Sequence, residues 1–121
     1  MKGGKGAYGE YEAARYLRKK GYNIVSTNFR CRFGEIDIIG EKGGFLVFVE
    51  VKTRDENSFY TPAEAVTYKK IQRLVKTAQI YLMQNDTSLQ PRFDVIEVYT
   101  SGGKLKRINH IENAFEGVNG F

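Results

Sequence analysis

Tryptophan is absent from the 121 residues, cysteine and histidine occur once each, and proline occurs twice. A lone cysteine, Cys31, can close no intrachain disulfide and build no thiolate cluster for zinc. Such sparing use suits a reducing cytoplasm, which is the expected location. No histidine stands near Cys31 in sequence, so a small residue on a strand edge is its expected role. His110 has no Cys or acid pattern around it and reads as a capping or packing residue. No apolar run approaches the ~20 residues that span a bilayer, and the start of the chain lacks a signal-peptide core. No membrane partner is therefore expected. The Gly-rich, basic start MKGGKG is expected to be mobile. There is no internal repeat, low-complexity segment or linker, so residues 1–121 are expected to form one domain around one sizeable core.

What is present is an ordinary globular balance, 41% hydrophobic and 27% charged,. Lys and Arg number 19 against 14 Asp and Glu, a formal charge of +5. The pI is near 9.3. This excess favours an anionic partner, nucleic acid being the commonest, with plain solubility and anionic membrane surfaces as blander accounts.

The most informative stretch is Phe33–Arg54, FGEIDIIGEKGGFLVFVEVKTR. It reads as two strands joined by a turn at Gly40–Gly44. In the first, Glu35, Asp37 and Ile39 alternate with Ile36 and Ile38. In the second, Phe45, Val47, Val49 and Val51 make one apolar face, and the other runs Leu46, Phe48, Glu50, Lys52. A run this apolar is expected to be buried on both sides, which brings Glu50 and Lys52 to the interior or its edge. Charges there are costly unless paired or bound to something.

Elsewhere the periodicity predicts a helix over Gly6–Gly21, with Ala13, Ala14 and Leu17 inward and Glu12, Arg15, Arg18 and Lys19 outward. Glu10 falls on the inward stripe, in the expected first turn. There it either complements the helix N-terminus, worth ~0.3–1 kcal/mol, or serves a site. Tyr22–Asn28 reads as a strand, followed by a basic link Phe29–Arg32, and Asp55–Thr61 as a polar loop. A second helix is expected from Pro62, or from Thr67 as N-cap, with Ile71, Leu74, Val75, Ala78 and Leu82 inward. Its other face carries Lys69, Arg73 and Lys76, with Lys70 at the flank, a single-sign row suited either to phosphates or to solvent. Arg92–Tyr99 reads as a strand, and a short strand near Leu105–Ile108 is placed to pair back through Ser101-Gly102-Gly103. The expected class is α/β, in the order α-β-β-β-α-β before that last short strand.

If the hairpin pairs around Gly40–Gly44, Asp37 and Glu50 converge at one end. With a backbone carbonyl they form a hard oxygen site suited to Mg²⁺ or Mn²⁺. Lys52 projects on the same face as Glu50, about 6–7 Å along the strand, and can serve a water or a phosphate oxygen. Glu10 is a candidate third carboxylate. This set suits metal-assisted phosphodiester hydrolysis, and no activated Ser, Cys or His is needed. A plain ion pair of Lys52 with a carboxylate is the structural alternative.

The arrangement resembles the PD-(D/E)xK nuclease superfamily, with Asp37 as the first acid and Glu50-Val51-Lys52 as the second half of the motif. More narrowly, the chain is similar to the YraN-like uncharacterised protein family of bacteria, UPF0102. The similarity runs through Gly9-Glu10, Gly34-Glu35-Ile36-Asp37, Val47–Arg54, Pro62–Val66, Arg92-Phe93-Asp94-Val95 and Asn113-Ala114-Phe115. Ile36 replaces the proline of the superfamily motif. The resemblance implies a restriction-endonuclease-like core, a mixed central sheet flanked by helices. It extends to archaeal Holliday-junction resolvases, where an acid of the first helix joins the strand acids, the role implied for Glu10. The implied activity is a Mg²⁺- or Mn²⁺-dependent endonuclease on DNA rather than RNA, with branched or junction DNA among the candidate substrates. Asp37, Glu50 and Glu10 would bind metal, Lys52 would serve catalysis, and Lys69, Lys70, Arg73 and Lys76 would contact nucleic acid. The alternative is a nucleic-acid-binding module without turnover. A symmetric junction needs two active sites, hence a candidate homodimer, although no apolar stripe marks its interface.

Overall fold

The computed structural model describes residues 5–57 and 66–115. Its elements are α1 (Lys5–Lys19), β1 (Asn23–Cys31), β2 (Gly34–Lys42), β3 (Phe45–Asp55), α2 (Tyr68–Gln84), β4 (Gln90–Ser101) and β5 (Lys104–Ile111). The five strands form one sheet in sequence order, with β3 and β4 parallel and every other neighbouring pair antiparallel. The chain is thus α/β with a mixed sheet and a helix on each face, as expected of a nuclease-like core. The last strand is a full eight residues and pairs from Val95–Ile111 to Ser101–Lys104, so it closes the sheet as a true edge strand.

Each face of the sheet has its own core. Ala13, Ala14 and Leu17 of α1 pack on Ile38, Val47, Val49, Val51, Ile96 and Val98. On the other face Leu74, Val75 and Ala78 of α2 pack on Ile36, Ile39, Leu46, Phe48 and Phe93, with Ile71 and Leu82 at the margin. The alternation expected in β3 and the stripe expected in α2 both hold.

Helix α1 ends as its sequence dictates. Gly21 has φ +93°, its N–H donates to Arg18 O at 3.0 Å, and the N–H of Tyr22 donates to Leu17 O at 3.0 Å. This is a Schellman cap, which needs the glycine for its left-handed backbone. At the other end the helix begins at Lys5, so Glu10 lies in the second turn and not the first. The macrodipole fades within the first turn, which removes the simplest account of its inward position. Glu12, expected outward, is buried at 7% exposure beside Arg15, because Leu105 and Ile108 of β5 fold over that side of α1. Gly9 sits where a Cβ would overlap Oγ1 of Thr53, so its lack of a side chain lets α1 lie close on β3.

Three further boundaries differ from expectation. The basic link Phe29–Arg32 is largely strand: Phe29 pairs with Ile36, Arg30 with Glu35 and Cys31 with Gly34. Phe29 earns its place by packing beside Tyr81 in the α2-side core. The β2–β3 turn is only Gly43-Gly44, because Gly40 and Glu41 remain paired with Val47 and Leu46. Helix α2 starts after Thr67, whose side chain accepts from the N–H of Lys70 at 3.2 Å. Pro62, the other expected start, lies outside the described residues, as do most of the expected 55–61 loop and the MKGG start.

The lone histidine is a packing residue, as expected, within a buried polar cluster. Asp94, fully buried, accepts from Nε and Nη2 of Arg92 at 2.9 Å each and lies 2.7 Å from Nε2 of His110. The N–H of Asn113 donates to it at 3.0 Å, Tyr22 accepts from Arg92, and Tyr16 reaches Nδ1 of His110. The cluster ties α1, β4 and β5 together. Burial pushes the Asp94 carboxyl up, but His110, Arg92 and the Asn113 amide more than offset this and hold it below its usual value. A depressed carboxyl contributes stability that is fully present above its unfolded pKa and is lost as pH falls through the folded one. Asp94→Ala, which strands the Arg92 charge, is expected to cost ~3–5 kcal/mol in urea denaturation at neutral pH. That cost should shrink on acidification; a loss below 1 kcal/mol at every pH would refute the cluster's role.

Candidate active site

The site begins where two strands part. β2 and β3 pair from Lys42–Phe45 to Ile38–Val49, and no pair follows, although both strands continue. Beyond that point β2 stays with β1 and β3 stays with β4. The fork opens at Asp37 and Glu50. Asp37 Oδ2 accepts the backbone N–H of Val51 at 2.8 Å, replacing the ladder bond that the fork removes,. The alternation expected in β2 breaks here as well. Ile36 and Ile38 pack on opposite faces of the sheet, and Ile36 instead shares a face with Ile39. Asn28, opposite on β1, has φ +54°, a second irregularity at the same level. Asp37 consequently lines cavities on both faces.

The larger cavity, about 670 Å³, lies on the α2 side. Its lining brings Asp37, Glu50 and Lys52 together with Lys69, Lys70 and Arg73. Asp37 is 1% and Glu50 7% exposed. Asp37 stands close enough to Glu50 to act on its carboxyl group and help hold it in the charged form. Two carboxyl groups so close need a shared proton or compensating positive charge beside them. Their donor atoms are all carboxyl oxygens, so this pair fits a hard divalent ion.

Two ammonium groups converge on the same carboxylate. Glu50 Oε2 lies 2.7 Å from Lys70 Nζ and 3.6 Å from Lys52 Nζ. Burial pushes the Glu50 carboxyl up, but the Asp37 hydrogen bond, Lys70 and Lys52 together hold it below its usual value. Burial pulls the Lys52 ammonium down, Lys70 adds to that, and Glu50 only partly restores it, so Lys52 gives up its proton more readily than a surface lysine. Burial acts the same way on Lys70, yet its hydrogen bond to Glu50 wins and the ammonium is held more firmly.

Lys70 is therefore not simply a flanking member of a basic helix face. The parallel β3–α2–β4 connection sends α2 back along β3, so its first turn lies over the end of β3 that carries Glu50 and Lys52. Nothing in the periodicity signals this contact; it follows from the crossover. Lys69, Arg73 and Lys76 remain exposed, and line a second basic cavity of about 530 Å³ with Arg32 and Phe33. Glu10 lies on the other side of the sheet, where it and Asp37 line a cavity of about 400 Å³. Among the described residues, no three of His, Cys, Asp and Glu converge as one metal-ligand group. Glu10 faces Asp37 from α1 across that smaller cavity.

The ion pair can be tested without any assay of activity. Lys70→Met is expected to raise the Glu50 pKa in a ¹³C carboxyl titration. Since Glu50 is depressed in the folded state, the stability it contributes is lost as pH falls through its folded value, and the variant should lose less on acidification. An unchanged Glu50 titration would contradict the contact.

The model of the uncharacterised protein family UPF0102 matches residues 9–98. A UPF0102 protein of Caldanaerobacter subterraneus subsp. tengcongensis is 51% identical over 113 residues, covering 91% of this chain and 93% of the relative. Those of Persephonella marina and Alkaliphilus oremlandii are 44% and 50% identical, each with more than 90% of both chains covered. The matched region holds Glu10, Asp37, Glu50, Lys52 and Lys70 together.

Proposed function

The chain belongs to the uncharacterised protein family UPF0102, and we propose that it is a metal-dependent endonuclease hydrolysing phosphodiester bonds in DNA, branched DNA included. The observation that carries this reading is the fork itself. It holds two buried carboxyl groups against each other and beside a lysine, at the foot of a cavity walled by basic residues.

Asp37 and Glu50 would hold a Mg²⁺ or Mn²⁺ ion. Such an ion supplies Lewis acidity, neutralising charge on the phosphate and lowering the pKa of a water. Lys52 stabilises the negative charge that grows on the phosphate, or positions the attacking water. One P–O bond forms to the water oxygen, one P–O ester bond breaks, and the departing oxygen takes a proton. Lys70, paired with Glu50, would turn toward the phosphate if an ion took its place there, since an ammonium and a divalent cation repel each other at one carboxylate,. Lys69, Arg73 and Lys76 hold the flanking backbone by charge. Glu10, which faces Asp37 from α1, would complete the carboxylate set around the ion.

One observation favours a second reading, a nucleic-acid-binding module without turnover. Two ammonium groups already converge on Glu50, so the chain itself supplies positive charge to the carboxyl pair.

Purified protein with Mn²⁺ or Mg²⁺ is expected to nick flap, junction or single-stranded DNA. Lys52→Ala should lower the rate at least 100-fold, the order of a lost transition-state contact, with the melting temperature nearly unchanged. Equal rates for wild type and variant would identify a contaminant. Tight, salt-sensitive binding with no cleavage under any metal would establish the second reading.

A further inference from the structure

Phe33 is accounted for neither by the core nor by its turn. Of the described phenylalanines, 29, 45, 48, 93 and 115 belong to one core or border it, and Phe33 alone does neither. It sits with Arg32 in the two-residue turn between Cys31 and Gly34, which are paired across β1 and β2. Tight hairpin turns favour Asn-Gly or Gly-containing pairs, whose left-handed backbone matches the strand twist. Arg-Phe is a poor choice for such a turn, and neither residue has a positive φ. A local rule broken in a tight turn is where function is to be sought.

The surroundings of the ring say which function. Phe33 lines both the cavity that holds Asp37, Glu50 and Lys52 and the basic cavity beside it. Two cations lie against it: the Arg32 guanidinium carbon is 4.9 Å and Lys76 Nζ 5.3 Å from the ring centre. Lys69 and Arg73 line the same two cavities. An aromatic face among cations, in a basic cavity that no carboxylate lines among the described residues, is the pattern that binds a single nucleic-acid strand. Bases stack on the ring and phosphates pair with the cations. A base can reach the ring only when it is not stacked in a duplex, because the tip of the hairpin meets the helix from outside.

We propose that Phe33 is a stacking platform for an unpaired nucleobase of DNA, and that it selects strands with an unpaired nucleotide over flush duplex. The inference rests on the nuclease reading only in placing the phosphate next to that base within reach of the carboxyl pair. Arg32 and Lys76, now against the ring, swing onto the flanking phosphates when the base arrives.

Binding is measured in EDTA by fluorescence anisotropy and by the emission of 2-aminopurine, which changes on stacking. The probes are single-stranded DNA, the same strand with one abasic nucleotide, and flush duplex. For wild type, single-stranded DNA is expected to bind about 5- to 100-fold more tightly than its abasic counterpart when the gap falls at the ring, the range set by one base stacked on an aromatic side chain. Phe33→Ala should remove that difference, Phe33→Tyr should keep it, and the salt dependence of both should match wild type. Arg73→Gln should instead reduce the salt dependence and leave the abasic difference intact. The abasic comparison uses the wild-type chain alone, so it remains decisive if Phe33→Ala folds poorly. Equal binding of intact and abasic strands by wild type would overturn the proposal, as would equal losses on single strand and duplex in Phe33→Ala. Base-dependent binding in a protein that never cleaves would refute turnover and leave the platform standing. Cleavage by a protein indifferent to the abasic site would do the reverse.

Discussion

The hydrogen bond from the N–H of Val51 to Asp37 is the constraint on which the site depends. Where β2 and β3 separate, the β3 backbone loses its partner strand, and a buried amide left unpaired would cost ~1–3 kcal/mol. A side-chain carboxylate supplies the missing acceptor. That bond fixes Asp37 in the opening of the fork, and Glu50, the β3 residue just before Val51, is brought against it. Asp37 thus completes the sheet and the site with one side chain. An apolar or amide replacement would disturb both, so loss of function at this position is not by itself evidence of chemistry. Lys52, which completes no ladder bond, is the cleaner probe.

The charge distribution follows from the same opening. Two carboxyl groups in near-complete burial need compensating charge, and the molecule takes it from two elements: Lys52 on β3 and Lys70 on the first turn of α2. The compensation is adjustable, because both ammonium groups sit on flexible stems at the edge of an open cavity. A divalent ion and a phosphate arriving together would replace Lys70 at Glu50 and offer it a new anion. Farther from the fork, the Asp94 cluster does the opposite work. Its acid is held by three groups, the Arg92 and His110 side chains and the Asn113 backbone, with Tyr16 and Tyr22 bonded to the first two.

How much of this was legible in the sequence depended on range. The α/β class, the two-sided burial of β3 and the inward stripe of α2 are local periodicities, and they read directly from Phe45–Val51 and Ile71–Leu82. Glu50 and Lys52 stood out because a charge ending an apolar strand breaks its own pattern. Other features were invisible for physical reasons. Strict alternation put Ile36 and Ile38 on one face, and the fork at Asp37 separates them. Glu12 read as outward because β5, which covers it, carries little apolar signal. Lys70 read as surface because its contact with Glu50 spans a crossover. Gly9 gave no sign of the close approach to Thr53. The resemblance implied a place for Glu10 in the carboxylate set; the fold puts it beside Asp37 but across the sheet from Glu50.

The central claim is that the Asp37–Glu50 pair is a divalent-ion site and not merely a proton-sharing pair closed by lysines. Crystals soaked in Mn²⁺ and measured at the manganese absorption edge test it most directly. Anomalous density between the two carboxyl groups, with Lys70 withdrawn from Glu50 and the density lost in Glu50→Gln, is the expected result. Lys70 still bound to Glu50, with manganese only elsewhere on the surface, would contradict it.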